Sequence, residues 1–599
     1  MLFDFIKRFW LLNPALGFIG HVGGGASGSF ATGAERSLRF RAAAGASLTR
    51  TPGTPTSTQK MTLFGASKFT GTSGSQDLFN GRVSGTSYFI VRLYRSTGTI
   101  LIQSENPSIV VQLETTAVLR DPTAFYLWML AIDTTQATAA NRVRLYLVQK
   151  DFSTAEVTSF STNTPPAQNT SFILNTGIAH AIGVLATVGS NYLDAIQAPM
   201  GFVDGAQLVP SDVFQIDSNS IPMLKTKAGI RSGVSATGLP RNGWGANGFL
   251  LPFDDASSTT TLGYDRSQSD TDTTGNNWTC NNISLTAGVT YDSMLDYPQN
   301  AASGVQPVGN YPTISPIHRN TSYTTTPTDG NLHITSASVG TQLHAFTMPI
   351  PTTGKWYLGE FTIVVPNSMQ LGIVRSNDAT LSSSTESYVG SSANGYGYRP
   401  TSGDKVNGTG GQQAYGPSAG ATDVIAVAYD ADNGKLYFAK QTGGSGSFVW
   451  MNSGDPVGGT GYAYSGLSGE FILAVSVVTA GAASEVKVNC GQQPFNNGSI
   501  PTGFKANCTA NWPDTAVTTS GTFNGTLNAD GPVGNLNGIP LSMTINGNAV
   551  TFGTHVDKLA NGFKVRSNSA SYNNTGSNTF SITAVGDKFS HNNRAQGNP

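Results

Sequence analysis

Asp423-Val424-Ile425-Ala426-Val427-Ala428-Tyr429-Asp430, turned through Asp432-Asn433-Gly434 into Lys435-Leu436-Tyr437-Phe438-Ala439-Lys440, spells out a β-hairpin. The first run is short, apolar and rich in β-branched residues, the signature of a buried strand. Asn433-Gly434 tolerates the positive φ values that a tight return demands. An earlier stretch repeats the design: Leu127-Trp128-Met129-Leu130-Ala131-Ile132-Asp133, a polar loop, then Arg142-Val143-Arg144-Leu145-Tyr146-Leu147-Val148. Two antiparallel β-sandwiches in tandem is the economical reading.

Working outward, Tyr88-Phe89-Ile90-Val91-Arg92-Leu93-Tyr94, Thr99-Ile100-Leu101-Ile102 and Ile109-Val110-Val111-Gln112-Leu113 are further strands bounded by Gly, Ser, Asn and Pro. Helical periodicity is nearly absent after residue 37. Near the C-terminus, Met543-Thr544-Ile545 and Ala549-Val550-Thr551-Phe552 flank Asn546-Gly547, a second hairpin signal, and Thr579-Phe580-Ser581-Ile582-Thr583-Ala584-Val585 closes the strand content. Residues 514–599 therefore read as a small β domain of their own, ending in a polar segment at 590–594.

A chain of 599 residues exceeds what one core can serve, so several domains are expected. Charged residues make up 12%, about half the usual share, and 70 glycines with abundant Ser, Thr and Asn fill the surface instead. That profile suits an extracellular or virion β-protein. Lys plus Arg (34) balances Asp plus Glu (35), leaving no basic field to collect phosphates, and nucleic acid is not an expected partner. No stretch approaches the ~20 apolar residues of a membrane span, so no membrane insertion is expected. Cys280, Cys490 and Cys508 have no Cys-x-x-Cys spacing and indicate neither a disulfide framework nor a zinc ribbon.

Leu2, Phe5, Ile6, Phe9 and Trp10 recur at helical spacing until Asn13-Pro14 stops the turn. Two readings fit: a short amphipathic helix that docks the chain in a larger assembly, or a targeting segment, since Lys7-Arg8, a brief apolar run and small residues imitate a signal peptide. The docking helix is preferred. Gly23, Gly25 and Gly28 spell GxGxxG, but no strand precedes them and no helix follows, so a hinge completes a 1–36 anchor.

From about Ser37 to Asp217, Asp121-Pro122-Thr123-Ala124-Phe125-Tyr126, Asp133-Thr134-Thr135-Gln136-Ala137-Thr138 and Phe202-Val203-Asp204-Gly205-Ala206-Gln207-Leu208-Val209-Pro210-Ser211-Asp212 resemble the laminin-G, or concanavalin-like, module of tailed-bacteriophage structural proteins. Thr62-Leu63-Phe64-Gly65-Ala66-Ser67 departs from that module, where a tryptophan-containing strand is the pattern. Gly248-Phe249-Leu250-Leu251-Pro252-Phe253 and Gly275-Asn276-Asn277-Trp278-Thr279 are similar to the linker that follows in those proteins. Gly354-Lys355-Trp356-Tyr357, Val488-Asn489-Cys490-Gly491-Gln492-Gln493-Pro494-Phe495 and Asn507-Cys508-Thr509-Ala510-Asn511-Trp512-Pro513 look like a SPRY-type sandwich. The resemblance implies an all-β chain: a concanavalin/laminin-G-like jelly roll at 37–217, a structured linker at 218–310, a SPRY-like sandwich at 311–513 and the small domain at 514–599.

Enzyme motifs do not hold. Gly416-Pro417-Ser418-Ala419-Gly420 matches GxSxG, but a strand follows where a nucleophile elbow needs a helix. Concanavalin-like glucanases carry a closely spaced Glu/Asp/Glu trio, which this chain lacks. The seven histidines are dispersed without zinc spacing, and each reads as a surface or loop residue. Asp270-Thr271-Asp272 begins like a calcium loop, yet position twelve is Asn281 where a bidentate Glu should close the cage, so Asp270 and Asp272 are weak metal candidates at most. No cofactor is expected.

An aromatic face matches the apolar side of a pyranose. Trp128 and Trp356 sit inside apolar runs and read as core, whereas Trp450, beside Asn452 and Asp455 in a loop-rich stretch, reads as an exposed ligand platform. With the family resemblance, these features lead us to expect a non-enzymatic virion protein, a tail or head fibre or adhesion appendage contacting a host glycan or protein. Its N-terminus would bind tail, portal or capsid proteins, and such fibres are typically homotrimers. A capsid-decoration or tail-structural protein and a secreted glycan-active enzyme are the alternatives.

Overall fold

The computed structural model describes residues 35–512, with interruptions at 72–73, 150, 217–221, 289, 301–302, 323–324, 337–339, 409, 480–482 and 497–499, and stretches at 519–524, 539–551, 556–559, 562–565 and 577–586. Leu2, Phe5, Ile6, Phe9 and Trp10, the glycines of the hinge and the polar segment at 590–594 lie outside the described residues. The fold is all-β, built from antiparallel sheets packed as tandem sandwiches.

In the first sandwich a seven-stranded sheet centred on Ala195–Asp204, Lys60–Phe69 and Tyr126–Asp133 faces an eight-stranded sheet that includes Ser87–Tyr94, Ser75–Ser84, Ala179–Ile182 and Ser47–Arg50. The hairpin expected around residue 130 is present, with Leu127 opposite Val148 and Ile132 opposite Val143. The 218–310 segment is woven into this sandwich. Phe249–Leu251 and Ser293–Met294 extend the seven-stranded sheet, and Thr279–Asn281 forms the edge of the other. Phe249 and Trp278 enter the shared core, where Phe79, Phe202, Phe249 and Trp278 lie in a chain of ring contacts 5.1–6.0 Å apart. Such aromatic pairs add about 0.5–1.5 kcal/mol each beyond the area they bury. The same segment carries a helix, Lys227–Ser235, capped by the Thr226 hydroxyl and held down by buried Ile230 and Val234.

The second sandwich pairs two seven-stranded sheets. One holds Gly340–Ile350, Phe471–Thr479 and Met369–Arg375, and the other Glu485–Asn489, Lys355–Val365, Val424–Asp430, Lys435–Gln441 and Val449–Trp450. The hairpin at 424–441 pairs in continuous register from Val424 opposite Gln441 to Asp430 opposite Lys435. Its turn is wider than a two-residue Asn-Gly return: only Gly434 has positive φ, at 61°, and the Asp430 carboxylate accepts from the Asn433 N–H at 3.1 Å. A Cβ at Gly434 would stand 2.3 Å from the Leu467 carbonyl, so glycine is needed for space as well as for φ. By contrast Asn546-Gly547 forms a two-residue turn with both φ positive, joining Ile539–Ile545 to Asn548–Ala549 in a four-stranded sheet beyond residue 512.

The two sandwiches meet through buried polar groups. On the first sandwich's side of the joint, the Lys68 ammonium and the Asp296 carboxylate are 2.8 Å apart and both fully enclosed. Lys68 also donates to the Tyr311 carbonyl at 3.1 Å, while the Tyr311 N–H donates to Asp296 at 3.2 Å. Asp292 takes Arg39 at 3.0 Å and Arg41 at 2.8 Å, and Arg39 reaches the Asp329 carbonyl at 3.3 Å. Asp194 accepts from the Gly330 N–H at 2.6 Å and from Thr70 at 2.9 Å. Gly491, Gln492 and Thr509 lie on the same joint. The Leu295 N–H donates to the Gln492 carbonyl, Thr509 and Asn310 exchange hydrogen bonds, and Gly491 adopts φ +115° where a Cβ would stand 2.5 Å from the Tyr311 ring. Cys490 and Cys508 are buried and unpaired.

Two histidines are not surface or loop residues. His180 and His344 lie on strands with 2% and 0% exposure. His180 donates from Nδ1 to the Ile178 carbonyl at 2.8 Å and accepts the Asn175 N–H on Nε2 at 3.0 Å. His344 bonds the Ser315 carbonyl through Nδ1 at 3.1 Å. Both bonding patterns suit the neutral ring, and burial drops each histidine to about 4.

Two outcomes follow for stability. Asp296→Ala strands a buried ammonium and should cost about 3–5 kcal/mol, whereas Lys68→Met with Asp296→Leu should recover most of that loss. The urea midpoint at unchanged slope reads it out, and a wild-type midpoint in the single variant contradicts it. For the histidines, the folded state binds fewer protons than the unfolded chain between about pH 4 and 6.5. Their stabilisation is therefore complete above 6.5 and lost as pH falls toward 4, up to about 3 kcal/mol each. Asp194, pushed up to about 6 by burial, contributes with the opposite sign, losing stability as pH rises through 6. A His344→Gln variant should show a shallower loss of melting temperature from pH 7 to 4 than the wild type, and an identical profile contradicts this.

Candidate functional site

One edge of the second sandwich carries three exposed large hydrophobic residues, Val449, Val457 and Tyr462. Val449–Trp450 is the last strand of its sheet, with Trp450 opposite Ala439 and Val449 opposite Lys440. The chain then anchors through buried Met451, whose N–H donates to the Phe438 carbonyl at 3.0 Å. Asn452 and Ser453 both take left-handed φ, and Asp455 and Thr460 bond each other's backbone twice at 3.0 Å. Inside that closed loop the Asp455 carboxylate accepts the Val457 N–H at 3.0 Å. A Cβ at Gly458 would lie 2.3 Å from the Asp455 carboxylate oxygen, so any larger residue there must push that side chain aside.

Fixing the backbone in this way leaves side chains outside. Val449 is 71% exposed, Val457 53% and Tyr462 37%, while Trp450 is half-buried. Beneath them Tyr437 is fully buried, with its ring edge-on to Trp450 and to Tyr462 at 6.4 Å each. Lys435 reaches over Tyr462 at 5.2 Å and ties Nζ to the Gly459 carbonyl at 2.8 Å. The Tyr437 hydroxyl is buried with no hydrogen-bond partner. Burial pushes it up to about 12, with the Asp430 and Asp455 carboxylates adding to the shift. A cluster of exposed apolar and aromatic groups on a pinned loop, over a buried donor that lacks an acceptor, has the character of a recognition surface.

Trp450 thus ends the edge strand, half-buried, and Asn452 and Asp455 are exposed on the loop that follows it. Trp128 and Trp356 are core residues: their indoles donate to the Ser67 hydroxyl at 2.9 Å and to the Thr353 carbonyl at 2.8 Å. Asp270 is engaged by Arg231 at 3.0 Å and Lys227 at 3.6 Å, and the Arg231 hydrogen bond holds its carboxyl below the usual range. Asp272 accepts from the Thr274 N–H and hydroxyl. Among the described residues no group of three His, Cys, Asp or Glu side chains is placed to hold a metal. Ser418 lies in a loop, with its carbonyl accepting from Lys440.

Tyr437, Tyr462 and Lys435 were not singled out by sequence. Strand alternation places Tyr437 on the outer face with Ala439, but only the fold shows that Tyr462 returns beside it. Tyr437→Phe removes a buried hydroxyl that bonds nothing, so the variant should be as stable as the wild type or up to about 1 kcal/mol more stable. A loss above ~1 kcal/mol in denaturant titration would show that the hydroxyl has a structural partner.

Among solved structures, the chain is similar to the SPRY domain of human HERC1, at 16% identity over 29% of this chain and 96% of that one, with a TM-score of 0.23. It is also similar to a human SPRY domain (14% identity, 26% and 91% covered, TM-score 0.19) and to stonustoxin (12% identity, 30% and 27% covered, TM-score 0.23). No protein-family model matches the chain, and no curated protein matches it. At these identities the likeness concerns fold alone.

Proposed function

We propose that this chain is a non-enzymatic structural protein of a bacteriophage virion, a tail or head fibre or adhesion appendage, whose 449–462 surface meets a host-surface glycan or protein. The observation that carries the reading is the pinned loop with exposed Val449, Val457 and Tyr462 around half-buried Trp450. Aromatic side chains that keep one face exposed are the usual anchors of binding surfaces. The buried joint between the sandwiches supports it, because an appendage must hold its contact surface at a fixed distance from its anchor. The sparse charge and the sequence resemblance to phage laminin-G-like and SPRY-like modules supply the virion context. On this reading residues 1–36 bind tail, portal or capsid proteins, the chain assembles as a homo-oligomer such as a trimer, and weak contacts add by avidity.

Two measurements test the proposal. Cryo-EM of intact particles should find the chain projecting outward from an anchored N-terminus, and a chain lying flat on capsid subunits would instead make it a decoration protein. Purified chain should bind host cells, and Trp450→Ala with Tyr462→Ala should weaken that binding at least ~10-fold, as loss of ~2 kcal/mol of hot-spot contact requires. Unchanged binding by the double variant would remove the 449–462 surface from the account.

A further inference from the structure

A second recess lies on the first sandwich, away from the 449–462 surface. It forms where residues 184–192 curl over the outer face of the eight-stranded sheet, an open recess of about 540 Å³, within the 300–1,000 Å³ typical of ligand sites. Register and burial identify the face. Leu48 and Ile182 are partners in the main core, whereas the next pair, Thr49 and Ala181, points the other way, with Ala181 in a separate cluster with Val184 and Ala186. Thr279 on the edge strand continues that outer row.

The wall of the recess is built rather than draped. Asn80 donates to the Val184 carbonyl at 2.7 Å and accepts the Ala186 N–H at 2.9 Å, and the loop closes on itself from Leu185 to Ser190 at 2.8 Å. Tyr192 stands between two glycines of left-handed φ. A Cβ at Gly45 would lie 3.4 Å from its ring and one at Gly189 3.3 Å from its hydroxyl. Both glycines hold left-handed φ, which other residues rarely adopt, so glycine keeps the backbone on either side of the ring unstrained.

The chemistry of the lining selects a ligand. Small apolar groups and the Tyr192 ring form floor and wall; the Asn281 amide donates to the Thr49 hydroxyl at 3.0 Å and the Asn282 amide to the Gly45 carbonyl at 3.1 Å, which turns the Thr279 hydroxyl and the two Asn side-chain oxygens to a ligand. No carboxylate lines it among the described residues. The one guanidinium, Arg50, is turned to the Asn247 carbonyl at 3.0 Å and to the Asn276 side chain. A cation would need an acid and an anion an open guanidinium, whereas neutral polar groups beside an aromatic ring suit a molecule with many hydroxyls and an apolar C–H face. We infer that this recess is a binding site for a neutral saccharide, stacked on Tyr192 and hydrogen-bonded to the Thr and Asn side chains.

Saturation-transfer NMR and calorimetric titration on the full chain test the site, with methyl β-glucoside, methyl β-galactoside and N-acetylglucosamine as neutral probes and N-acetylneuraminic acid as the charged control. Thr279 is exposed, so Thr279→Trp blocks the recess without touching the core, and Tyr192→Ala removes the stacking wall. At least one neutral probe should bind, and each variant should weaken it at least ~10-fold while Val83→Ala, an exposed position outside both surfaces, leaves it unchanged. The assignment is overturned if no neutral probe binds the wild type, if both recess variants bind as well as the wild type, if Val83→Ala abolishes binding, or if the charged sugar is preferred.

Discussion

A lysine ammonium and an aspartate carboxylate sealed from water, Lys68 and Asp296, are the contact on which the arrangement of this molecule depends. Burial pushes the ammonium down and the carboxyl up, and each group's charge works against the other's shift. Such a pair adds little net stability over a well-packed apolar substitute, but it tolerates almost no separation, because either charge left alone costs several kcal/mol. Its value is therefore positional. The pair draws Lys60–Phe69, the strand centre of the first sandwich, to the stretch that leads into the second, and Tyr311 bonds both partners from the far side. Arg39, held by Asp292 within the first sandwich, reaches across to the Asp329 carbonyl, and the Asp194 contacts to Asp329 and Gly330 repeat the device along the same interface.

The consequence for function is mechanical. A joint of hydrogen-bonded charges has one satisfied geometry, unlike an apolar seam that can slide. The two candidate recognition surfaces, the loop around Trp450 and the recess under Tyr192, then sit at fixed positions on one body. Fixed spacing is what allows several weak contacts to act together, since avidity vanishes when geometry forbids simultaneous engagement.

Much of the architecture is legible in the residues. Buried and alternating runs mark the hairpins at 126–148 and 424–441, because strand burial writes itself in a period of two. Asn546-Gly547 forms the tight turn its chemistry demands, whereas Asn433-Gly434 does not, because Asp430 caps a wider loop. The strands of the 218–310 segment are hidden: Phe249–Leu251 and Thr279–Asn281 are three residues each, too short for any period to show. Lys68 is equally opaque, since a lysine in a strand reads as solvent-facing until the partner carboxylate, 228 residues later, is brought to it. His180 and His344 fail for the same reason, with neutral rings satisfied by backbone groups that sequence does not place. Of the recognition surface, Trp450, Asn452 and Asp455 are visible as an aromatic among loop residues, but Tyr437 beneath them is not. The Tyr192 recess is assembled from three distant segments, so nothing local announces it.

Distance measurement across the joint tests the account most directly. Spin labels at exposed Val83 on the first sandwich and exposed Val449 on the second, in a Cys280→Ser background, report the separation of the two bodies by pulsed electron resonance. A joint locked by Lys68 and Asp296 predicts one narrow distance distribution that broadens in Asp296→Asn. A broad distribution in the otherwise native chain would mean that the sandwiches move freely and that the buried charges do not fix their arrangement.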